Sequence, residues 1–298
     1  MRANAPAIVA AQLKREPVRL NALPDSPTRL RNFQLGRQGM ISREALLNDF
    51  ATRSFRDIGD QDYIAARLAC RASLWPQFKW SGLQAIEKYL KAILLYNRVE
   101  AGGVGHSLEE ALKCCEKLPF EMSLTEETHQ MIAFLDESVR LRYLEVSYLI
   151  HGPKLYELDR AVWEVRRYCK VLDYKRRMPN GETESMLGPE LAAIEQARKK
   201  PFHTFRLPGG LLEKILDNPK NPARSALIWQ NAFFGSRGRR SVSIPTGLHA
   251  VNAPLWLSPE IVDDVSKYVR IPKEVAKAYR NELQRRQTKG VQPAPKSV

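Results

Sequence analysis

Apolar residues recur at helical spacing along most of residues 41–178. Ile41-Ser42-Arg43-Glu44 predicts a helix start with Ser42 as N-cap and Leu46, Leu47 and Phe50 as its apolar side. Asp60 is expected to cap the next helix, which runs to Leu74 and ends at Trp75-Pro76. The following helix, from about Phe78 to Tyr96, has two apolar faces. Leu83, Ile86, Leu90 and Ile93 form one, and Ala85, Tyr89, Ala92 and Tyr96 form the other. Gln84, Glu87, Lys88 and Lys91 make up the remaining polar stripe. A helix buried on two sides belongs in the middle of a bundle.

Gly102, Gly103 and Gly105 end that helix. Ser107 with Glu110 three residues on reads as a capping box, and His106 precedes it as a structural residue at the helix start. The third bundle helix spans Ser107 to Leu118 and stops at Pro119. A fourth runs from about Thr125 to Tyr143, with Met131, Phe134, Leu135 and Val139 inward. From Pro153 to Tyr174, Leu155, Leu158, Val162, Val165, Cys169 and Leu172 keep a regular apolar stripe. This leaves Arg160, Arg166, Arg167 and Lys170 on the predicted outer side, either as a solvated face or as a ridge that follows phosphates.

The flanks are less regular. Residues 1–40 carry four prolines, scattered arginines and no sustained period, as in an irregular basic arm. Residues 179–200 read as a linker ending in a short polar helix. Further helices are predicted at Leu211–Leu216, from Asn221-Pro222 to Gly235, after Ser258-Pro259-Glu260, and after Pro272, up to residue 287. Residues from 288 on look like a disordered tail. Trp229, Phe233, Phe234, Leu255 and Trp256 need burial, either in a small separate core or by docking onto the bundle, the latter favoured because so few helices make a thin core.

Three blocks carry a family resemblance: Asp62-Tyr63-Ile64-Ala65-Ala66-Arg67-Leu68-Ala69, Gln84-Ala85-Ile86-Glu87-Lys88-Tyr89-Leu90-Lys91-Ala92 and Gly105-His106-Ser107-Leu108. In order and spacing they resemble the HEPN domain (higher eukaryotes and prokaryotes nucleotide-binding), over roughly residues 55–178. Arg142-Tyr143 resembles an Arg-Tyr pair that many members carry. The resemblance implies an all-α fold, a bundle of four to five helices within residues 41–178, extended here by the mainly helical C-terminal part. It also implies a homodimer, RNA or nucleotide as ligand, and either metal-independent ribonuclease activity or partnership with a nucleotidyltransferase. Active members carry an Arg and a His with four to six residues between them, so that the Arg binds phosphate and the His moves a proton during attack of the ribose 2′-OH.

This chain departs from that spacing. Arg142 and His151 are the pair that would act, but eight residues separate them. Nine helical steps of about 100° would turn them to opposite sides of a continuous helix. The expected function is therefore binding of RNA or nucleotide more than cleavage. The alternative is a non-catalytic dimerisation or interaction module.

Charge bears on the choice without settling it. The 298 residues carry 47 Lys and Arg against 33 Asp and Glu, net +14. Residues 1–40 hold seven basic against two acidic residues, residues 41–178 are nearly neutral, and residues 179–298 hold nineteen against eleven. Basic flanks fit a phosphate backbone and a solubilising surface equally well. The candidate phosphate contacts are Arg140, Arg166, Arg167 and Lys170, with Arg237, Arg239 and Arg240 in a basic loop beside Phe233-Phe234. That aromatic pair, at helical spacing with Trp229, reads foremost as core. Cys70, Cys114, Cys115 and Cys169 show no metal or disulfide spacing and are expected as reduced thiols. The five histidines are dispersed, no phosphate-loop or nucleophile-elbow motif occurs, and no cofactor is expected. With no long apolar run and no convincing signal peptide, the expected address is cytoplasmic, away from membranes.

Overall fold

The computed structural model describes residues 42–101, 103, 105–137, 147–179, 181–235, 242–244 and 246–288. The chain divides into two units, residues 1–45 and 46–298. Of the first, only residues 42–45 are described, where the Ser42 hydroxyl accepts from the Ala45 amide at 3.1 Å, as an N-cap does. The arm over residues 1–40, the tail beyond 288, and Val139, Arg140, Arg142, Tyr143, Arg237, Arg239 and Arg240 lie outside the described residues.

The structure is mostly helical. Helix α1 (Arg43–Phe50) passes through a π-helical stretch, Ala51–Arg56, straight into α2 (Asp57–Arg71). Asp60 therefore does not cap a helix. It lies one turn inside α2, fully buried, because a cation on a distant helix claims its carboxylate. Helix α3 (Trp75–Tyr96) takes Pro76 in its first turn, where no backbone donor is lost. Both of its apolar faces are buried: Leu83, Ile86, Leu90 and Ile93, and also Ala85, Tyr89 and Ala92, are 0 % exposed. Gly59 lets α2 approach closely, since a Cβ there would meet Tyr89 Cε1 at 3.0 Å and the Ala85 carbonyl at 3.2 Å.

Helix α4 (Leu108–Cys115) is capped by Ser107, and α5 (Glu126–Asp136) by Thr125. Helix α6 (Lys154–Arg166) ends about two turns before Tyr174, in tighter turns through Cys169. From Ala161 to Cys169 every residue is buried, so α6 has no outer side there.

Residues 179–200 are not a linker. Strands β2 (Lys175–Arg177) and β3 (Thr183–Ser185) form an antiparallel hairpin, and α7 (Leu187–Ala197) follows. Ile194 and Ala197 of α7 join the main core. Helix α8 (Leu211–Asp217) forms as expected, but the helix expected over Asn221–Gly235 shrinks to α9 (Arg224–Ile228). Trp229 turns to an extended ψ of 116° and ends it, and Gln230 follows with a left-handed φ of 48°. Asn231 then makes the turn: its Oδ1 accepts from the Phe233 and Phe234 amides, both at 2.9 Å. Leu212, Ile215, Leu227, Phe233 and Phe234 are buried in the main core, so residues 201–235 dock on the bundle. The aromatic pair is core.

The remainder adds a second departure from an all-helical chain. Strand β1 (Tyr148–Gly152) pairs antiparallel with β4 (Gly247–Val251), His151 opposite Leu248. Helices α10 (Pro254–Leu257), α11 (Val262–Tyr268) and α12 (Lys273–Thr288) close a small separate core of Ala253, Leu255, Val262, Ala276 and Tyr279. Residues 201–235 thus join the main core, while Leu255 lies in a small core of its own. No helix among the described residues is long and apolar enough to cross a membrane.

Candidate functional site

The three sequence blocks meet on one side of α3. Asp62 of the first accepts from Lys88 Nζ of the second at 2.6 Å, and Gln84 Oε1 accepts from the same ammonium at 2.9 Å. One turn on, Glu87 Oε1 accepts from Lys91 Nζ at 2.7 Å. Its Oε2 lies 3.1 Å from His106 Nδ1 of the third block, and Lys91 also reaches the Gly105 carbonyl at 3.2 Å. Burial would raise the Glu87 carboxyl, but the bonds to Lys91 and His106 outweigh it and hold the carboxyl below the usual carboxylate range. The His106 ring is 59 % exposed and held by Glu87 beside Trp80. The block's helix start is secured separately, because the Leu108 amide donates to Asp136 Oδ1 at 2.7 Å.

The arginines placed on the outer side of α6 turn inward instead. Arg166 is 3 % exposed and Arg167 is 1 % exposed. Arg166 donates from Nε and Nη2 to Asp60 (2.6 and 2.8 Å) and from Nη1 and Nη2 to Glu213 (2.8 and 2.7 Å). Burial alone would weaken its charge, but the two carboxylates more than compensate. Arg167 stacks over Trp163 at 4.0 Å and donates to the Ile194 carbonyl at 2.8 Å. Lys170 pairs with Glu190, and Arg160 pairs with Glu127 at 2.9 Å. The ridge expected to follow phosphates is thus an internal scaffold. Arg166, Lys170 and Arg160 are paired with carboxylates there, while Arg167 keeps two buried nitrogens without a hydrogen-bond partner among the described residues.

A second buried knot lies beside the first. Arg67, from the first block, pairs with Asp159 and donates to the carbonyls of Ala226 (2.9 Å) and Trp229. Tyr63 donates to Asp159 Oδ1 at 2.6 Å and accepts from Asn231 Nδ2 at 2.9 Å. Burial pushes the Asp159 carboxyl up against the pull of Arg67. Arg56, Arg67 and Arg166 all reach residues 209–229 this way, so cations from the π-helical stretch, α2 and α6 hold the docked segment in place.

His151 is not at a helix end. It sits exposed on β1, and its expected partner Arg142 lies outside the described residues. Sequence reasoning missed Lys79. Only 3 % exposed, it lies 3.9 Å from the centre of the Phe134 ring, which Lys154 also approaches at 4.7 Å. Burial brings its ammonium down to about 8, with Lys154 adding to the fall and Glu137 opposing it. Its place one turn before Leu83, at a position facing α5 and α6, was the available signal. Among the described residues no group of three or more His, Cys, Asp or Glu could hold a metal.

No protein-family model, curated protein or solved structure matches the chain.

Proposed function

We propose that the chain is a HEPN-like helical module that binds RNA or a nucleotide and does not cleave it. The observation that carries this reading is the convergence of the three blocks. Asp62, Lys88, Gln84, Glu87, Lys91 and His106 come from segments up to about forty residues apart and form one connected set of bonds, joined through Gln84. Blocks that meet in space are what a shared domain plan requires, whereas chance likenesses on amphipathic helices need not touch. Binding without cleavage is favoured by the spacing of Arg142 and His151, with eight residues between them, and by the place of His151, exposed on a strand. The burial of Arg166 and Arg167 moves the phosphate contacts to the remaining candidates, Arg140, Arg142, Arg237, Arg239 and Arg240.

One observation favours the second reading, a module that engages a protein such as a nucleotidyltransferase or a second copy of itself. The C-terminal unit exposes Trp256, Leu257, Ile261, Tyr268 and Val269 close together in sequence, beside a groove of about 600 Å³ lined by Trp256, Val275 and Tyr279. A gel-shift assay at low salt, read beside light scattering of the protein alone and with Leu257→Asp/Tyr268→Asp, separates the two. Retardation of RNA that Arg142→Ala weakens supports binding. Absence of retardation, with a self-association that the double variant dissolves, supports the interaction module.

A further inference from the structure

A small cleft of about 250 Å³ opens in the docked segment. Its walls come from the turn at residues 202–205, helix α8, the start of α9 and the Phe233–Gly235 turn. One side is apolar, made of Phe205, Leu216, Phe233 and Phe234. The other is charged, and its charges are unequally engaged. Glu213 gives both carboxylate oxygens to Arg166 and accepts from the Leu207 amide at 2.9 Å. Asp217 is paired with Arg206 at 2.6 Å. Arg224 uses only Nε, which donates to the Leu216 carbonyl at 3.0 Å. Among the described residues no hydrogen bond or ion pair takes its two terminal nitrogens. Glu213 is thus engaged by Arg166, which it shares with Asp60, and Asp217 by Arg206, while Arg206 spends only Nη2 and Arg224 only Nε, so both guanidiniums keep donors to offer.

These walls are fixed before any ligand arrives. Asn231 holds the Phe233 and Phe234 amides from below and is bonded to Tyr63 of the bundle. Phe233 is locked by Phe202, ring centres 4.5 Å apart, and by Trp163 at 6.0 Å. The Nε bond sets the Arg224 guanidinium at the end of α8. A preformed pocket with one apolar wall and two oriented guanidiniums, Arg206 and Arg224, loses little entropy on binding. At about 250 Å³ the cleft lies just below the usual range for ligand pockets, which suits a ligand built on one ring system.

We propose that the cleft binds a small aromatic anion, one ring system set against the phenylalanines with its anionic group at Arg224. Aromatic carboxylates and the phosphate monoesters of nucleosides share this chemistry. The site is separate from the RNA-binding reading and is tested without RNA.

The test is calorimetric titration of the full chain with uridine monophosphate, adenosine monophosphate and indole-3-acetate, with inorganic phosphate and acetate alone as controls. Saturation-transfer NMR on the same samples reports whether the ligand ring contacts the protein. The expected result is binding of at least one aromatic anion, weaker binding of the bare anions, a loss of about tenfold or more in Arg224→Gln, and partial rescue in Arg224→Lys. Preference for the monophosphates or for the carboxylate identifies the source. If Arg224→Gln does not fold, wild-type ligand-ring transfer and the Arg224→Lys affinity carry the test. The proposal is overturned if no aromatic anion binds at millimolar concentration, if the bare anions bind equally well, or if folded Arg224→Gln binds unchanged.

Discussion

Arg166 on α6 and Glu213 on α8 form a two-pronged ion pair, 2.8 and 2.7 Å, with Asp60 of α2 closing the same guanidinium from the other side. Three elements far apart in sequence are joined through one buried cation. Removing that cation strands two buried carboxylates, which costs far more than the net worth of the pair. Arg166→Met is expected to destabilise the fold by about 3–5 kcal/mol. Chemical denaturation measures it, and a loss below about 1 kcal/mol would show that the knot is dispensable.

The same pair sets an acid limit. Burial would raise the Glu213 carboxyl, but Arg166 and the Leu207 amide outweigh it and hold it below its ordinary value of 4.5. A carboxyl depressed in the folded state contributes stability above its unfolded value and loses it as pH falls through the folded value. Wild-type protein should therefore lose stability steadily below pH 4.5, and Glu213→Gln, less stable at neutral pH, should lose less over that range. Parallel acid profiles for the two proteins would contradict the assignment.

Gly210 adjoins this knot for a steric reason. A Cβ there would lie 2.0 Å from Glu213 Oε2 and 2.6 Å from Arg166 Nη2. Both atoms are locked in the ion pair and cannot step aside without breaking it. Gly210→Ala is expected to cost at least about 1–3 kcal/mol, as overpacking does. The thermal midpoint reports it, and a midpoint unchanged from wild type would place the backbone elsewhere.

Lys79 runs the other way. Its folded value near 8 lies below its ordinary value of 10.5, so the unfolded chain binds more protons between those limits. Stability from this group therefore rises as pH climbs from about 8 to 10.5, and the cost of the buried charge is present in full below. Lys79→Met should be more stable than wild type at pH 7 by about 1–2 kcal/mol, allowing for partial solvation and the lost contact with Phe134. The advantage should shrink as pH approaches 10. Denaturant midpoints at pH 7 and pH 10 give both numbers. A variant less stable than wild type at pH 7 would mean that the ammonium is better paired than its surroundings indicate.

Much of the bundle was legible in the sequence, and the reasons are particular. The two-faced pattern from Leu83 to Tyr96 places α3 at the centre because only a helix enclosed by neighbours needs two apolar sides. Ser107 as a cap is local chemistry and came through. Asp60 was misread because a buried acid and a capping acid look alike from one strand of sequence. What distinguishes them is Arg166, 106 residues away. Arg166 and Arg167 were misread for the same reason. Charge on the far side of an apolar stripe signals solvent only when nothing covers it, and α7, with residues 201–235, covers this one. The β1–β4 pairing joins residues about a hundred apart, with no alternation strong enough to announce it. The Arg224 cleft could not be read at all, since it depends on which carboxylates are already spent.

The most direct test of the central claim is a combined gel-shift and cleavage assay with end-labelled single-stranded RNA in EDTA at low salt, using wild type, Arg142→Ala and His151→Ala. The account predicts retardation without cleavage, weakened by Arg142→Ala and unchanged by His151→Ala. Cleavage that His151→Ala abolishes, leaving 2′,3′-cyclic phosphate ends, would contradict the non-cleaving assignment. Absence of retardation would contradict RNA binding itself.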